Sequence, residues 1–160
     1  MSIDTRSFDW KKIRPAQKLH RFLYAAGMGP IIGKIILLLT TTGRKSGLKR
    51  ITPLQYEEID GKYFLGSARG TKADWYRNIE ADASVEVRVK SRAYRGRAET
   101  STEPERIADF MEVRLQRHPI MIGWLMKKAY GLPKHPSREQ LLELAVSEAM
   151  VIITPIEETR

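Results

Sequence analysis

The sequence predicts an α+β protein, a small and mostly antiparallel β-barrel with peripheral helices. About six short segments have strand character and are separated by turn signals. One of them, "SVEVRVKS", alternates valine with charged residues, and "AYRGRAETS" follows as its antiparallel partner. Helical periodicity is concentrated on either side of these strands, in 15–26 and 103–147. Short meandering strands with helices at the edges are typical of a small barrel.

The remaining strands are predicted in chain order from their apolar patterns. The run "KIILLLTTT" is long and apolar enough for a strand buried on both faces. The segment "KRITPLQYEEID" is predicted as a single second strand, and Asp60 with Gly61 marks a hairpin into "KYFLGSA". The strand "AMVIITPI" closes the chain.

Helices are predicted from periodicity and capping residues. Pro15 occupies a first helical position, and the helix it begins ends at "GMGP". Asp74 is predicted to cap the short helix "WYRNIEA". Thr102 and Glu105 have the spacing of a capping box before "PERIADFMEVRLQR", which Pro119 is predicted to end. Two further helices are predicted over 120–130 and 138–147.

Length predicts one domain over 1–160, because 160 residues are enough for one buried core. Within it, 1–13 is predicted as a loose N-terminal arm and 34–156 as the barrel core, with a helical insert over 103–147. The absence of cysteine excludes disulfides and thiolate chemistry, and the three histidines match no metal-ligand spacing. No metal site is predicted.

The net charge of +9 predicts an anionic partner. Basic residues concentrate in 43–50 and 88–97, whereas 99–112 is acidic, so a local anion site is favoured over uniform attraction to nucleic acid. The start of the chain lacks the apolar region of a secretory signal, and a cytoplasmic location is expected. The helix predicted over 15–26 is basic and amphipathic. Packing on the core is its favoured role, with weak contact to a membrane surface as the alternative.

Three polar segments at predicted strand ends carry the functional signal: "TGRKSGLKRITPL", "GSARG" and "DWYRN". The spacing of "GRKSG" excludes a Walker phosphate loop, which needs four residues between its glycines. Glycines beside basic residues and a serine suit an anion-binding nest, and the third segment adds aromatic side chains. Cations, small residues and aromatics together predict a planar, phosphorylated ligand.

The segments "LLLTTTGRKSGLKRITPL", "GSARG", "DWYRNIEAD" and "VEVRV" resemble the deazaflavin-dependent nitroreductase family of the split β-barrel flavin-binding superfamily. The resemblance implies a split β-barrel that binds coenzyme F420, a deazaflavin with a phosphodiester and an oligoglutamate tail. It implies that residues of the basic segment hold the phosphate and tail, and that the others surround the ring. The implied cofactor-binding residues are Arg44, Lys45, Ser46, Arg50, Ile51, Thr52, Pro53, Leu54, Gln55, Gly66, Ser67, Ala68, Arg69, Asp74, Trp75, Tyr76, Arg77 and Asn78.

The implied activity is hydride transfer from reduced F420 to a small electron-poor acceptor: a quinone, a nitro compound or an activated alkene. Backbone N–H groups near Ser67 and Ala68 are expected to stabilise charge on the ring, and Tyr130 or water to protonate the product. A homodimer is a further expectation. Two alternatives stay open: a flavin mononucleotide enzyme on the same barrel, and a non-enzymatic binder of lipid or nucleic acid.

Overall fold

The computed structural model describes residues 36–159. The predicted arm over 1–13 and the helix that begins at Pro15 lie outside this range. Seven strands are present: β1 (Ile36–Thr42), β2 (Lys49–Gln55), β3 (Glu57–Ile59), β4 (Lys62–Ser67), β5 (Ser84–Val89), β6 (Arg92–Ser101) and β7 (Ala149–Thr159). A 3₁₀ turn over Gly70–Lys72 precedes four helices: α1 (Asp74–Ala81), α2 (Pro104–Arg117), α3 (Pro119–Tyr130) and α4 (Arg138–Ala145).

The strands form one antiparallel sheet that curls on itself. Its order is β2-β1-β5-β6-β7-β4-β3, so strands adjacent in the sequence occupy its two opposite edges. Only Tyr56 separates β2 from β3, and the chain therefore passes from one edge of the sheet to the other within a single residue. The edges must come together, which gives a half-closed barrel. This confirms the predicted α+β barrel.

Two strand predictions need correction. The segment predicted as one strand over 49–60 divides at Tyr56, because its first part pairs with β1 and its second part with β4. The sheet therefore has seven strands instead of about six. The hairpin prediction was right: Asp60 and Gly61 both have positive φ, 52° and 75°, which is the geometry of a type I′ turn.

The sheet buries side chains on both faces at β7, because alternate residues there enter different clusters. Val151 and Ile153 face the barrel interior together with Leu37, whereas Met150 and Ile152 face helices α2, α3 and α4. The three helices thus cover one outer wall of the barrel. On β5 the valines are buried and the charged residues exposed, as the alternation predicts.

The helix starts differ from the predicted caps. Asp74 is the first residue of α1, and Ala73 precedes it as the cap, without a side-chain hydrogen bond. At α2 the cap is Glu103, also without such a bond, so the capping box predicted from Thr102 is wrong. Pro104 sets the helical φ at the first position, where a missing N–H has no cost.

A capping box does occur, at α4. The Ser137 hydroxyl accepts from the N–H of Gln140 at 3.2 Å, and the Gln140 side chain accepts from the N–H of Ser137 at 2.9 Å. Helix α4 ends at Ala145, two residues before the predicted end, because the chain turns there to enter β7. Within residues 36–159, none of the helices is long and apolar enough to cross a membrane.

Candidate functional site

A tight turn connects β1 and β2, and we call this turn together with the first two residues of β2, residues 43–50, the basic loop. The Gly43 N–H donates to the Leu48 carbonyl oxygen at 2.8 Å, and the Gly47 N–H donates to the Gly43 carbonyl oxygen at 2.8 Å. Gly47 has φ of 71°, a conformation that glycine adopts without strain. The Ser46 hydroxyl accepts from the Leu48 N–H at 3.2 Å. These bonds give the loop a fixed shape.

Arg44 holds the basic loop against helix α1. Its guanidinium donates to Asn78 Oδ1 at 3.0 Å and to Asp74 Oδ1 at 3.1 Å, and its backbone N–H also donates to Asn78 Oδ1 at 3.2 Å. The Asn78 amide in turn donates to Thr41 Oγ1 at 3.2 Å. Asn78 is buried, so this one side chain joins the loop, the helix and the end of β1. The positive charge of Arg44 is largely engaged by Asp74.

The available positive charge of the loop lies on Lys45 and Arg50. Both are exposed, and neither forms an ion pair with any residue in the described range 36–159. Lys49 differs, since its ammonium lies 3.4 Å from Glu86 Oε1. A cavity of about 670 Å³ opens beside these cations, lined by Gly43, Arg44, Lys45, Ser46, Lys49, Arg50, Ile51, Thr52, Asp74, Trp75 and Asn78.

A second cavity of about 470 Å³ adjoins the first and is mainly apolar. Thr52, Asp74 and Trp75 line both cavities, so the two form one groove with a cationic end and an apolar end. The apolar end lies between the barrel and the helices. Its other lining residues are Pro53, Leu54, Gln55, Gly66, Ser67, Ala68, Arg69, Ala73, Ile107, Phe110, Met111, Arg114, Leu125, Met126, Ala129, Tyr130, Glu148 and Ala149.

The groove brings together all the predicted site residues except two. Tyr76 lies in the barrel core, 2% exposed, and burial raises its pKa. Arg77 is exposed on the other side of α1 and donates to the Thr71 carbonyl oxygen at 3.3 Å. Trp75 alone of the aromatic pair lines the groove. The helical period explains why Trp75 lines the groove and Tyr76 does not, because successive side chains on a helix point about 100° apart.

The loop after β4 is fixed against the start of β7. The Ser67 hydroxyl donates to the Gly70 carbonyl oxygen at 2.7 Å and is therefore used within the loop. Gly70 has φ of 58°, and a Cβ there would lie 2.8 Å from the Ser147 carbonyl oxygen. Ser67 also pairs with Ala149 across the two strands. Glu148, which lies between Ser147 and Ala149, lines the apolar cavity beside this loop.

Arg114 of α2 is a groove residue that sequence reasoning missed. Its Nη2 donates to Gln55 Oε1 at 2.6 Å, and its Nε lies 3.9 Å from Glu57 Oε1. Burial lowers the pKa of Arg114, and the Glu57 carboxylate opposes that effect. Glu57 is itself buried, and its Oε1 lies 3.0 Å from His118 Nε2. The two residues are far apart in the sequence, so the sequence alone did not indicate this pair.

Glu148 is the second residue that the sequence did not indicate. It is 6% exposed, and within residues 36–159 its Oε1 has no hydrogen-bond partner. Burial raises the pKa of Glu148 to about 7, although a hydrogen bond from Tyr130 and the charge of Arg114 both act to lower it. Tyr130 is partly buried, and its pKa lies above the ordinary value. No local motif marks Glu148, which stands in the apolar segment "ELAVSEAMVII".

Comparison with known proteins identifies the family. Residues 13–120 match the model of the F420H(2)-dependent quinone reductases, which is more than half of the chain. The chain belongs to that family. The implied cofactor is therefore reduced coenzyme F420, and the protein is an F420-dependent reductase.

Solved structures similar to this member of the quinone reductase family include two with a TM-score above 0.5. A putative pyridoxamine 5′-phosphate oxidase from Listeria innocua has a TM-score of 0.54 at 10% identity, over 86% of this chain and 96% of that one. A conserved hypothetical protein from Mycobacterium tuberculosis has a TM-score of 0.52 at 18% identity, over 83% and 81%. An F420-H2-dependent reductase, FDR-A, has a TM-score of 0.48 at 24% identity, over 73% and 92%. The first two establish the split-barrel fold.

The residues of the groove fit the cofactor of this family. A deazaflavin joins a flat ring to a polyanionic tail, and the groove joins an apolar cavity to exposed cations at Lys45 and Arg50. A cavity of about 470 Å³ is within the usual range of small-molecule sites. Among the described residues, no cluster of histidine, aspartate and glutamate is arranged for a metal ion.

Proposed function

We propose that the protein binds reduced F420 along the groove, with the tail at the basic loop and the ring in the apolar cavity, and transfers hydride to an electron-poor acceptor. Quinones, nitro compounds and activated alkenes are the acceptor classes. The observation that carries the proposal is the shared wall of Thr52, Asp74 and Trp75, which makes one continuous groove from a cationic and an apolar cavity. The reduced cofactor supplies the hydride.

The basic loop suits a chain of carboxylates better than a single phosphate. Lys45 and Arg50 are exposed and separated along the loop, and Arg44 contributes a partly engaged charge behind them. Exposed cations bind exposed anions with modest strength each, so several contacts along a tail are needed for tight binding. Flavin mononucleotide has one compact phosphate and would use only part of this surface.

The apolar end suits a ring held in a fixed position. Trp75, Leu54, Phe110 and Met126 provide flat or apolar walls. Ser67 and Gly70 fix the loop along one side through their 2.7 Å hydrogen bond, so its backbone can approach a ligand without rearranging. We infer that the ring lies between this loop and Trp75, and that the acceptor enters beside the helices.

A fluorescence titration tests the cofactor assignment. Quenching of F420 fluorescence at micromolar protein is expected, with flavin mononucleotide bound much more weakly because it lacks the tail. Lys45→Ala should weaken F420 binding, whereas Lys62→Ala, which removes an exposed lysine that lines neither cavity, should not. Equal or tighter binding of flavin mononucleotide by the wild-type protein would contradict the proposal.

A further inference from the structure

Glu148 lines the apolar end of the groove from the first turn before β7. Its carboxyl group is buried, and its Oε1 lacks a hydrogen-bond partner throughout the described residues. Buried polar atoms normally have hydrogen-bond partners, and an exception calls for a partner from outside the chain, such as water, an ion or a ligand. Glu148 also lines a cavity that fits a small molecule, so a ligand bound there lies beside its carboxyl group.

The charged and titratable groups around Glu148 come from several elements. Tyr130 of α3 and Arg114 of α2 both act to lower the pKa of its carboxyl group. Arg69 and Asp74 line the same cavity from the loop after β4 and from α1. Arg114 does not neutralise Glu148 by direct pairing, because its guanidinium donates to Gln55 at 2.6 Å and faces Glu57.

Burial is the main cause of the raised pKa of Glu148. Desolvation raises the pKa of this carboxyl group to about 7, against the opposing effects of Tyr130 and Arg114. A group with such a pKa is protonated in a large fraction of molecules near neutral pH and gives up its proton readily, as a general acid requires. Tyr130 is the weaker candidate, because burial and the neighbouring Glu148 raise its pKa further above 10.

We propose that Glu148 is the general acid that protonates the reduced acceptor, with Tyr130 as the residue that positions its carboxyl group. The inference rests on the proposed function, since it places the acceptor in the same cavity. The acceptor gains two electrons and one proton as hydride from reduced F420. The O–H bond of Glu148 then breaks, its electron pair stays on the carboxylate, and the proton bonds to the anionic oxygen or carbon of the acceptor. Water returns a proton to Glu148.

The first test needs neither cofactor nor acceptor. In carboxyl ¹³C NMR of glutamate-labelled protein, the Glu148 carboxyl group should titrate near pH 7, and Glu148→Gln should remove that titration. Glu143→Gln, which changes an exposed glutamate of α4, should leave it in place. Titration of Glu148 below pH 5 would overturn the inference.

The second test measures turnover with a soluble benzoquinone and F420 binding together. Glu148→Gln should lower kcat by about 100-fold at saturating F420, as loss of a general acid does. Wild-type kcat should fall above about pH 7, and the kcat of Glu148→Gln should not show this alkaline fall. Tyr130→Phe removes a group that lowers the pKa of Glu148, so the fall of kcat at alkaline pH should begin at a higher pH in this variant.

The outcomes separate the two proposals. Wild-type protein that fails to bind F420 overturns the proposed function and this inference with it. Normal F420 binding with kcat and pH profile unchanged in Glu148→Gln overturns the inference alone. A fall in kcat with the alkaline limb retained also overturns it, because an indirect structural effect would lower the rate without removing a titration.

Discussion

The side chain of Lys45 is exposed on the basic loop, so a carboxylate bound there stays in contact with water. Such a pair contributes about 1 kcal/mol, roughly fivefold in affinity. Lys45→Ala should therefore weaken binding of long-tailed F420 about fivefold and barely affect a form without the glutamates. Fluorescence titrations of both forms measure the difference, and that comparison separates tail recognition from general loss of fold. Equal weakening of both forms would show that Lys45 does not bind the tail.

Arg44 and Lys45 are neighbours with different roles, and the sequence predicted them as equals. Their charge and position beside Gly43 were enough to predict an anion site. The partners of Arg44, however, are Asp74 and Asn78, which lie 30 and 34 residues away. Side-chain partners at such separations depend on the assembled fold. The same reason explains why Glu148 escaped prediction, since only the packing of α2 and α3 around it makes it unusual.

At the scale of elements, Asn78 connects β1, the basic loop and α1. Asn78→Ala removes a buried amide that accepts twice from Arg44 and donates to Thr41. Unpartnered groups remain behind, and a loss of about 1–3 kcal/mol in the free energy of unfolding is expected. Urea denaturation measures this loss. Because the loop then keeps only the contacts between Arg44 and Asp74 to hold it against α1, F420 affinity should also fall, although Asn78 carries no charge.

A matched control for Asn78 is Gln116, an exposed amide of α2 that lines neither cavity. Gln116→Ala should leave both stability and F420 affinity close to wild type. If Asn78→Ala loses stability and keeps full affinity, the shape of the basic loop does not depend on α1.

Elements with strong periodicity were predicted well, and their junctions were not. β5, β6 and α2 follow directly from alternation or helical spacing. The division of the second strand at Tyr56 could not be predicted, because both halves have the same local character. What separates them is pairing with different strands at opposite sheet edges, a long-range property. The groove is built at such junctions, so its residues were predicted mainly from family resemblance.

At the scale of the whole molecule, curling of the sheet and covering by the helices produce the cavity together. β2 supplies Thr52, Pro53 and Leu54 to one wall, whereas α2 and α3 supply the opposite one. Enclosure of this kind removes water from Glu148, which is why a surface glutamate and this one differ so much in pKa. The stability of the folded protein is therefore linked to the protonation of one carboxyl group.

The direction of this linkage follows from the raised pKa. Below about pH 4.5 Glu148 is neutral in both the folded and the unfolded chain, so its ionisation does not lower the free energy of unfolding. As the pH rises from about 4.5 to about 7, the unfolded chain ionises this group while the buried carboxyl group of the folded protein stays largely neutral, so the unfolded state gains stability relative to the folded one, and above about 7 the loss is complete. Stability from this site is thus greatest at low pH and is lost as the pH rises. The full loss corresponds to about 3 kcal/mol.

Glu148→Gln removes the titrating group and should remove this loss. Relative to wild type, the free energy of unfolding of the variant should increase by about 2–3 kcal/mol between pH 5 and pH 8. Urea denaturation at a series of pH values gives the difference, and Glu143→Gln, at an exposed glutamate of α4, serves as the control. Other titrating groups cancel, because both proteins share them. A constant difference for Glu148→Gln would mean that the cavity admits enough water to leave Glu148 with an ordinary pKa, and a surface-like carboxylate there could not serve as the acid near neutral pH.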